Sequence, residues 1–236
     1  MTSVVVLGGG SELGLAIARA LAPEVAMLAG RSPERLAGLG VAGARVAAVA
    51  FDADDPDTHE AALDAAWAAA GGSVDVVVVA FGALGQQWPG VEDPDASVAL
   101  LRTNALGAGS AVLRAAARLQ RQGSGALVLL SSVAAERPRP ANYVYAAGKA
   151  AADFLARGVA EATGVHVLVV RPGFVPTAMT AGMKAPPLSA TPEQVAQATV
   201  DGLRRGRRVV YVPRSMRLLG AVVRLLPSAV VRRLPR

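Results

Sequence analysis

The chain has 236 residues, carries a formal charge of +6, is 53% apolar and only 4% aromatic, and contains no cysteine and two histidines. Such a chain is long enough for one α/β domain with a core of Ala, Val and Leu. Its composition rules out disulfides, thiolate metal ligands and a cysteine nucleophile, and leaves no basis for a histidine metal cluster. The charge is uneven: ten arginines and no acid lie between Arg204 and Arg236, while the rest carries 14 basic against 18 acidic residues, a net of −4.

In chain order, short β-branched runs alternate with alanine-rich segments of helical period, the pattern of parallel strands joined by crossover helices. Strands are predicted over Ser3–Leu7, Val25–Ala29, Val46–Phe51, Val74–Ala80, Gly125–Ser131, Val165–Arg171 and Val209–Val212. Their near-continuous hydrophobicity suits a sheet covered on both faces. The apolar run "VVVLGGG" close behind Met1 reads as a first strand rather than a leader. Helices are predicted to start near Leu13, Pro33, Asp57, Asp95, Asn142 and Thr191, the last from the capping sequence Thr191-Pro192-Glu193. The expected fold class is a Rossmann doubly wound parallel sheet in a single domain, residues 1–213, extended by an amphipathic basic tail, residues 214–236.

"VVVLGGGSELGLAIARAL" is a strand, a glycine turn and a helix. Glycines let a backbone approach a diphosphate and a helix N-terminus offers it unpaired N–H groups, although a tight βα turn alone would look the same. Gly30 and Arg31 stand after the second strand, where NAD-binding folds carry an acid for the ribose 2′-hydroxyl. Arginine can instead pair with a 2′-phosphate, or serve as a solvated strand-end charge. Asp52 ends the third strand, where an aspartate is also an ordinary helix cap.

In "NYVYAAGKAAADF" Tyr145 and Lys149 are four apart and share a helix face, whereas Tyr143 has Ala147 at that offset. A phenol titrates near 10, so a neighbouring ammonium is expected to lower Tyr145 into a range useful for proton exchange. Ser132 closes the apolar strand "GALVLLSS" thirteen residues earlier, and strand ends are where ligands collect in open α/β sheets. Asn104 is a polar residue inside the helical stretch "LLRTNALGAGSAVL", costly to bury unless bonded. A structural helix–helix hydrogen bond would account for it, without excluding a role in the site.

These residues together resemble the short-chain dehydrogenase/reductase family. The glycine turn departs from that family's pattern at Glu12, and "VVVVAFGALG" replaces its Asn-Asn-Ala-Gly segment with Val79 and Ala80. The resemblance implies a catalytic set of Ser132, Tyr145, Lys149 and Asn104. It also implies a cofactor site formed by Gly8, Ser11, Glu12, Leu13, Arg31, Asp52, Ala53, Ala80, Gly82, Lys149, Val175 and Thr177. NADP(H) is favoured by Arg31, with NAD(H) as the alternative, and no metal is implied. Within the family, "ERPRPANYVYAAGKA", "VAFG", "VRPGFVPTAM" and the terminal "RRLP" resemble reductases of a polyprenyl-phosphate-linked 2-keto pentose, which act after a flavin oxidase and lead to cell-wall arabinan; the alternatives are a ketone reductase for another lipid-like substrate or a redox-inactive dinucleotide-binding protein, against which intact Ser132, Tyr145 and Lys149 argue. That likeness implies a lipid-phosphate sugar bound by Arg137, Arg139 and Tyr143, the two arginines being otherwise solvated loop charges. It implies also a flavin oxidase partner, a homo-oligomer, and a cytoplasmic enzyme peripherally attached to the membrane, with the envelope face left open.

The tail "RSMRLLGAVVRLLPSAVVRRLPR" is too short in apolar run to span a bilayer. Arg217 and Arg224 lie seven apart beside Leu218, Ala221, Val222 and Leu225, a pattern suited to an anionic membrane surface or to packing on the domain or another subunit. Arginine alternates there with aliphatic residues rather than stacking aromatics, so nucleic acid is not an expected partner.

Overall fold

The computed structural model describes residues 2–85, 93–218 and 220. Seven parallel strands form one sheet in the order β3-β2-β1-β4-β5-β6-β7. They are β1 (Ser3–Leu7), β2 (Val25–Gly30), β3 (Arg45–Ala50), β4 (Val76–Val79), β5 (Ala126–Leu130), β6 (His166–Pro172) and β7 (Val209–Val212). Each predicted strand is present, with ends shifted by two residues at most. Helices α1 (Glu12–Leu21), α2 (Pro33–Ala37), α3 (Asp57–Ala69), α4 (Pro94–Leu101), α5 (Ala108–Gln122), α6 (Tyr143–Thr163) and α7 (Pro192–Arg204) connect them.

Strand alternation divides the core in two. Val5, Leu7, Val77, Val79, Leu127, Leu129, Val167 and Val169 face Leu63, Ala111, Val112, Ala115, Ala152 and Ala156, the inner stripes of α3, α5 and α6. Their neighbours Val4, Val6, Val76, Val78, Val128, Leu130, Leu168 and Val170 face Leu15, Ile17, Leu36, Val195 and Ala196 of α1, α2 and α7. Both faces are thereby covered, which is why the strands show no polar alternation. Leu127 and Leu129 are almost wholly buried, and truncating either to alanine costs about 2–5 kcal/mol. The cap on α7 forms as predicted: the Thr191 hydroxyl accepts the Gln194 N–H at 3.2 Å and Gln194 returns a bond to the Thr191 N–H at 3.0 Å.

The chain order reverses between β1 and β4, both of which run alongside each other from Val4/Val76 to Leu7/Val79. Connections leaving these two strands go to opposite sides of the sheet, opening a crevice above their carboxyl ends. All the candidate site residues belong to segments at that end of the strands.

One predicted helix is interrupted. Between α4 and α5 the residues Arg102–Gly107 form a π-helical turn rather than continuing the α pattern. The tail prediction falls mostly outside the described residues, since only 214–218 and 220 of it are described. At its start Met216 is buried and lies near Gly173, whose added Cβ would sit 3.4 Å from it. No helix among the described residues is long and apolar enough to cross a membrane.

Candidate active site

The glycine turn leaves β1 at Gly8, which has φ 88°. A Cβ there would stand 2.8 Å from the backbone N and Cβ of Phe81, so glycine is required both by conformation and by the close approach of the chain after β4. Gly8 and Gly9 donate their N–H groups to the Ala29 carbonyl at 2.9 and 2.8 Å, folding the turn back over β2. Ser11 caps α1 by accepting the Gly14 N–H at 3.2 Å, and Leu13 is half-buried behind it. A helix start held open in this way presents N–H groups and positive potential, the donor set that a dinucleotide diphosphate needs.

Glu12 is exposed, and its carboxylate reaches across the crevice to accept the Ala178 N–H at 2.7 Å. The departure from glycine therefore ties the turn to the segment after β6. There Val175 is buried, and Thr177 opens a 3-10 turn at Ala178–Thr180, closed by a reciprocal Thr177–Thr180 capping pair.

On the outer side of the crevice Arg31 is exposed one residue beyond β2. Asp52 follows β3 and does not cap α3, whose N-cap is Pro56; its side chain instead accepts the Asp54 N–H at 3.0 Å. Its carbonyl meets the Nε2 of buried His59 at 2.9 Å. Burial lowers the His59 imidazole below its ordinary value, so this ring is a neutral brace beside Phe51, on which it stacks at 4.6 Å. Ala53 is half-buried next to Asp52.

Ser132 has extended backbone and caps a 3-10 turn at Val133–Glu136. Its hydroxyl accepts the Ala134 N–H at 3.1 Å and is hydrogen-bonded to the Tyr145 phenol. Tyr145 sits on the first turn of α6, with Lys149 one turn further on the same face. Lys149 is 5% exposed. Its ammonium donates to the Leu130 carbonyl at 2.9 Å and, at a longer 3.5 Å, to that of Phe81.

The electrostatics correct one expectation. Lys149 was expected to lower Tyr145; burial instead raises the phenol above its ordinary value, and only the bond from Ser132 opposes this. The physical reason is that Lys149 is itself desolvated, which lowers it to about 8, so it has given up its charge before a phenol ionises. Ser132 is thus the group that favours the phenolate, while Lys149 is a cation able to give up its charge near neutrality.

Asn104, 1% exposed, lies in the π turn. Its Oδ1 accepts the Ala83 N–H at 2.9 Å and its Nδ2 donates to the Ala83 carbonyl at 2.7 Å, so the amide is satisfied by the backbone after β4. That segment begins at buried Ala80 and continues through Gly82. A Cβ on Gly82 would lie 2.9 Å from Asn104 Oδ1 and 3.0 Å from Lys149 Nζ. The missing side chain lets both polar groups converge on one stretch of backbone.

The proposed substrate residues are more scattered. Tyr143 is half-buried at the start of α6, Arg137 is half-exposed and Arg139 exposed on the connection from the 3-10 turn. Asp153 and Arg171, not singled out in the sequence, meet behind Ser132. Their signal was a charge inside an apolar helix face and another at the end of an apolar strand, positions rarely charged unless paired.

A seven-stranded doubly wound sheet, a helix-capped glycine turn and a serine-bonded tyrosine with a buried lysine define a dinucleotide-dependent oxidoreductase. The short chain dehydrogenase family profile matches residues 2–187. An uncharacterized oxidoreductase of Mycobacterium tuberculosis is 43% identical over 242 residues, covering 99% of this chain and 97% of the relative. The cis-4-hydroxycyclohexanecarboxylate dehydrogenase of Sinomonas cyclohexanicum is 32% identical over 214 residues, 82% of this chain and 86% of that one. A short chain dehydrogenase of Burkholderia cenocepacia, solved with NADP, superposes with a TM-score of 0.84 at 22% identity, over 100% of this chain and 98% of that chain. The chain belongs to the short-chain dehydrogenase family and is an NAD(P)-dependent oxidoreductase.

Proposed function

We propose that the protein interconverts a ketone and a secondary alcohol, with Tyr145 as the proton-transferring group. The observation that carries this reading is the Ser132–Tyr145 hydrogen bond set one helical turn from buried Lys149. A nicotinamide cofactor, when bound, would supply the hydride in the reducing direction. Tyr145 gives its proton to the alkoxide oxygen that forms, and Ser132 donates a hydrogen bond to the same oxygen. Lys149, whose charge is conditional at about 8, is suited to returning a proton to Tyr145. Asn104 holds the Ala83 backbone and with it the wall that Lys149 contacts. Gly8, Ser11 and the α1 N-terminus would hold the diphosphate, Val175 and Thr177 the nicotinamide side, and Asp52 the adenine side. Arg31, exposed past β2, supports NADP(H) over NAD(H).

For the substrate we propose the narrower reading of a polyprenyl-phosphate-linked 2-keto pentose, reduced to polyprenylphosphoryl arabinose. It is supported by the "VAFG" and "ERPRPAN" sequences and by Arg137 and Arg139 on the connection between Ser132 and Tyr145. The same reading includes a flavin oxidase that makes the ketone, a homo-oligomer, and attachment of the arginine-rich tail to an anionic membrane on the cytoplasmic side. The second reading is a small anionic cyclic alcohol, favoured by the 32% identical cyclohexanecarboxylate dehydrogenase.

The test compares NADPH and NADH oxidation on the keto-pentose phospholipid, generated in situ by a flavin oxidase, with neutral ketones, and NAD(P)+ reduction on cis-4-hydroxycyclohexanecarboxylate. Turnover of the phospholipid that exceeds the neutral ketones, drops in Tyr145→Phe and loses affinity in Arg137→Glu or Arg139→Glu is the expected result. Turnover confined to the cyclohexane substrate would replace the lipid reading, and full activity of Tyr145→Phe would overturn the mechanism.

A further inference from the structure

Arg171 stands near the end of β6 with its side chain 12% exposed. Its Nε and Nη2 donate to the two oxygens of Asp153 at 2.8 and 2.7 Å. Asp153, 2% exposed, also accepts the Ser131 hydroxyl at 2.8 Å and Arg157 Nε at 3.0 Å. The remaining nitrogen of Arg171, Nη1, donates to Glu136 at 2.7 Å and to the Tyr211 hydroxyl at 2.6 Å, and Tyr211 in turn donates to Glu136. Two guanidinium groups thus face two carboxylates. Burial opposes the charge on Asp153, but the Arg171 guanidinium and the bonds from Ser131 and Arg157 outweigh it and hold the carboxyl below its ordinary range.

The places of these partners in the chain give the cluster its meaning. Ser131 precedes Ser132, and Glu136 ends the 3-10 turn that Ser132 caps. Asp153 lies on α6 four residues after Lys149 and eight after Tyr145, on the same helical face. Arg171 therefore bonds Glu136 at one end of the segment carrying Ser132 and reaches Ser131 at the other end through Asp153, which ties that segment to the helix carrying Tyr145. A buried ion cluster is a weak source of stability, because apolar residues of equal volume often serve as well. What apolar packing does not supply is direction, and a planar bidentate fork does.

We propose that Arg171 is a positioning residue for the reaction: acting through Asp153–Ser131 on one side and Glu136 on the other, it sets the Ser132 hydroxyl against the Tyr145 phenol. The inference rests on the assignment of Ser132 and Tyr145 to the reaction. Glu136, at the edge of the cluster, is the place to disturb it without opening the core.

The experiment uses the full chain with tyrosine labelled at 13Cζ, and reads by NMR the ionised fraction of Tyr145 at pH 10, its signal assigned by its loss in Tyr145→Phe. Glu136→Ala frees one end of the segment, and the phenol loses the Ser132 bond that favours its ionised form. The ionised fraction is expected to fall about three- to ten-fold, the equivalent of one ordinary hydrogen bond. Glu136→Gln keeps an acceptor for Arg171 and is expected to stay close to the parent. Arg171→Lys, which cannot span both ends, is expected to fall with Glu136→Ala. Simple removal of a negative charge works in the opposite direction, since it favours phenolate in both Glu136 variants. An ionised fraction in Glu136→Ala equal to or above that of the parent would overturn the proposal, whatever the melting temperature does. Full turnover by Tyr145→Phe would overturn the assignment of Tyr145 instead, a separate measurement with a separate outcome.

Discussion

Two cations partly or wholly withdrawn from solvent, one on α6 and one on β6, behave oppositely. Lys149 on α6 donates, among the described residues, to the backbone carbonyls of Leu130 and Phe81, and burial lowers it to about 8. Arg171 on β6 is half-buried, yet Asp153, Glu136 and Tyr211 surround it, and these contacts hold its charge more firmly than in water. Burial without a counter-charge makes a cation that can let go of its proton. Burial with two carboxylates makes a fixed strut. The first is useful where protons move, the second where geometry must not.

The largest expected break in this contrast is Lys149→Met, which removes the conditional charge and leaves the strut. Turnover is expected to fall about 10²–10⁴-fold, the usual weight of a proton-transfer group. Folding stability is expected to move the other way. The folded Lys149 titrates near 8 against 10.5 for the free side chain, so between these values the unfolded chain binds more protons and the native state gains stability as pH rises. Below pH 8 the buried ammonium costs about 3 kcal/mol. Lys149→Met is therefore expected to melt higher than the parent at pH 7, by an amount reduced by the unpaired Leu130 carbonyl, with the difference shrinking from pH 8 to 10.5. A difference independent of pH in thermal melts would refute this account.

Asp153→Asn attacks the strut instead. Removing one charge from a buried pair leaves Arg171 poorly compensated and costs about 3–5 kcal/mol, read as a melting temperature lower by roughly 6–20 °C. The carboxyl is held below its ordinary value, so the stability it contributes is present throughout the neutral range and is lost as pH falls through its folded value. Parent and Asp153→Asn melting temperatures should accordingly converge in acid and stay apart at neutrality, the reverse of the Lys149 pattern. The smallest effect is expected at a site remote from both cations. Thr191→Ala removes the capping bond of α7 for about 1 kcal/mol, about 2–4 °C, with steady-state kinetics unchanged.

The contrast also shows what the chain revealed before folding. The strands were legible because they are short apolar runs, those in the middle of the sheet buried along their whole length, and Tyr145 was separable from Tyr143 because helical spacing gives only one of them a lysine. The burial of Lys149 was not legible, since nothing local in "AAGKAAA" says which face meets the sheet, and the direction of the Tyr145 shift depends on that burial. The π turn at Arg102–Gly107 carries no compositional mark: "RTNALG" reads as ordinary helix, and the Ala83 backbone that accepts and donates to Asn104 lies 21 residues away. The Glu12–Ala178 bond spans 166 residues, beyond the reach of any periodicity argument. Asp153 and Arg171 were visible as charges in apolar surroundings, but only the register of β6 beside β5, from Ala126/His166 to Leu130/Val170, brings them to Ser131.

That π turn bears on how this chain should be aligned with others. A single extra residue accommodated in a helix advances everything after it by about 100°, so α4 and α5 cannot be laid onto one continuous helical wheel. A one-residue gap opposite Arg102–Gly107 in a relative would be no drift of a tolerant loop. It would mark a chain whose residue at the place of Asn104 has been rotated off the backbone after β4, and whose active-site wall must be braced by a different side chain.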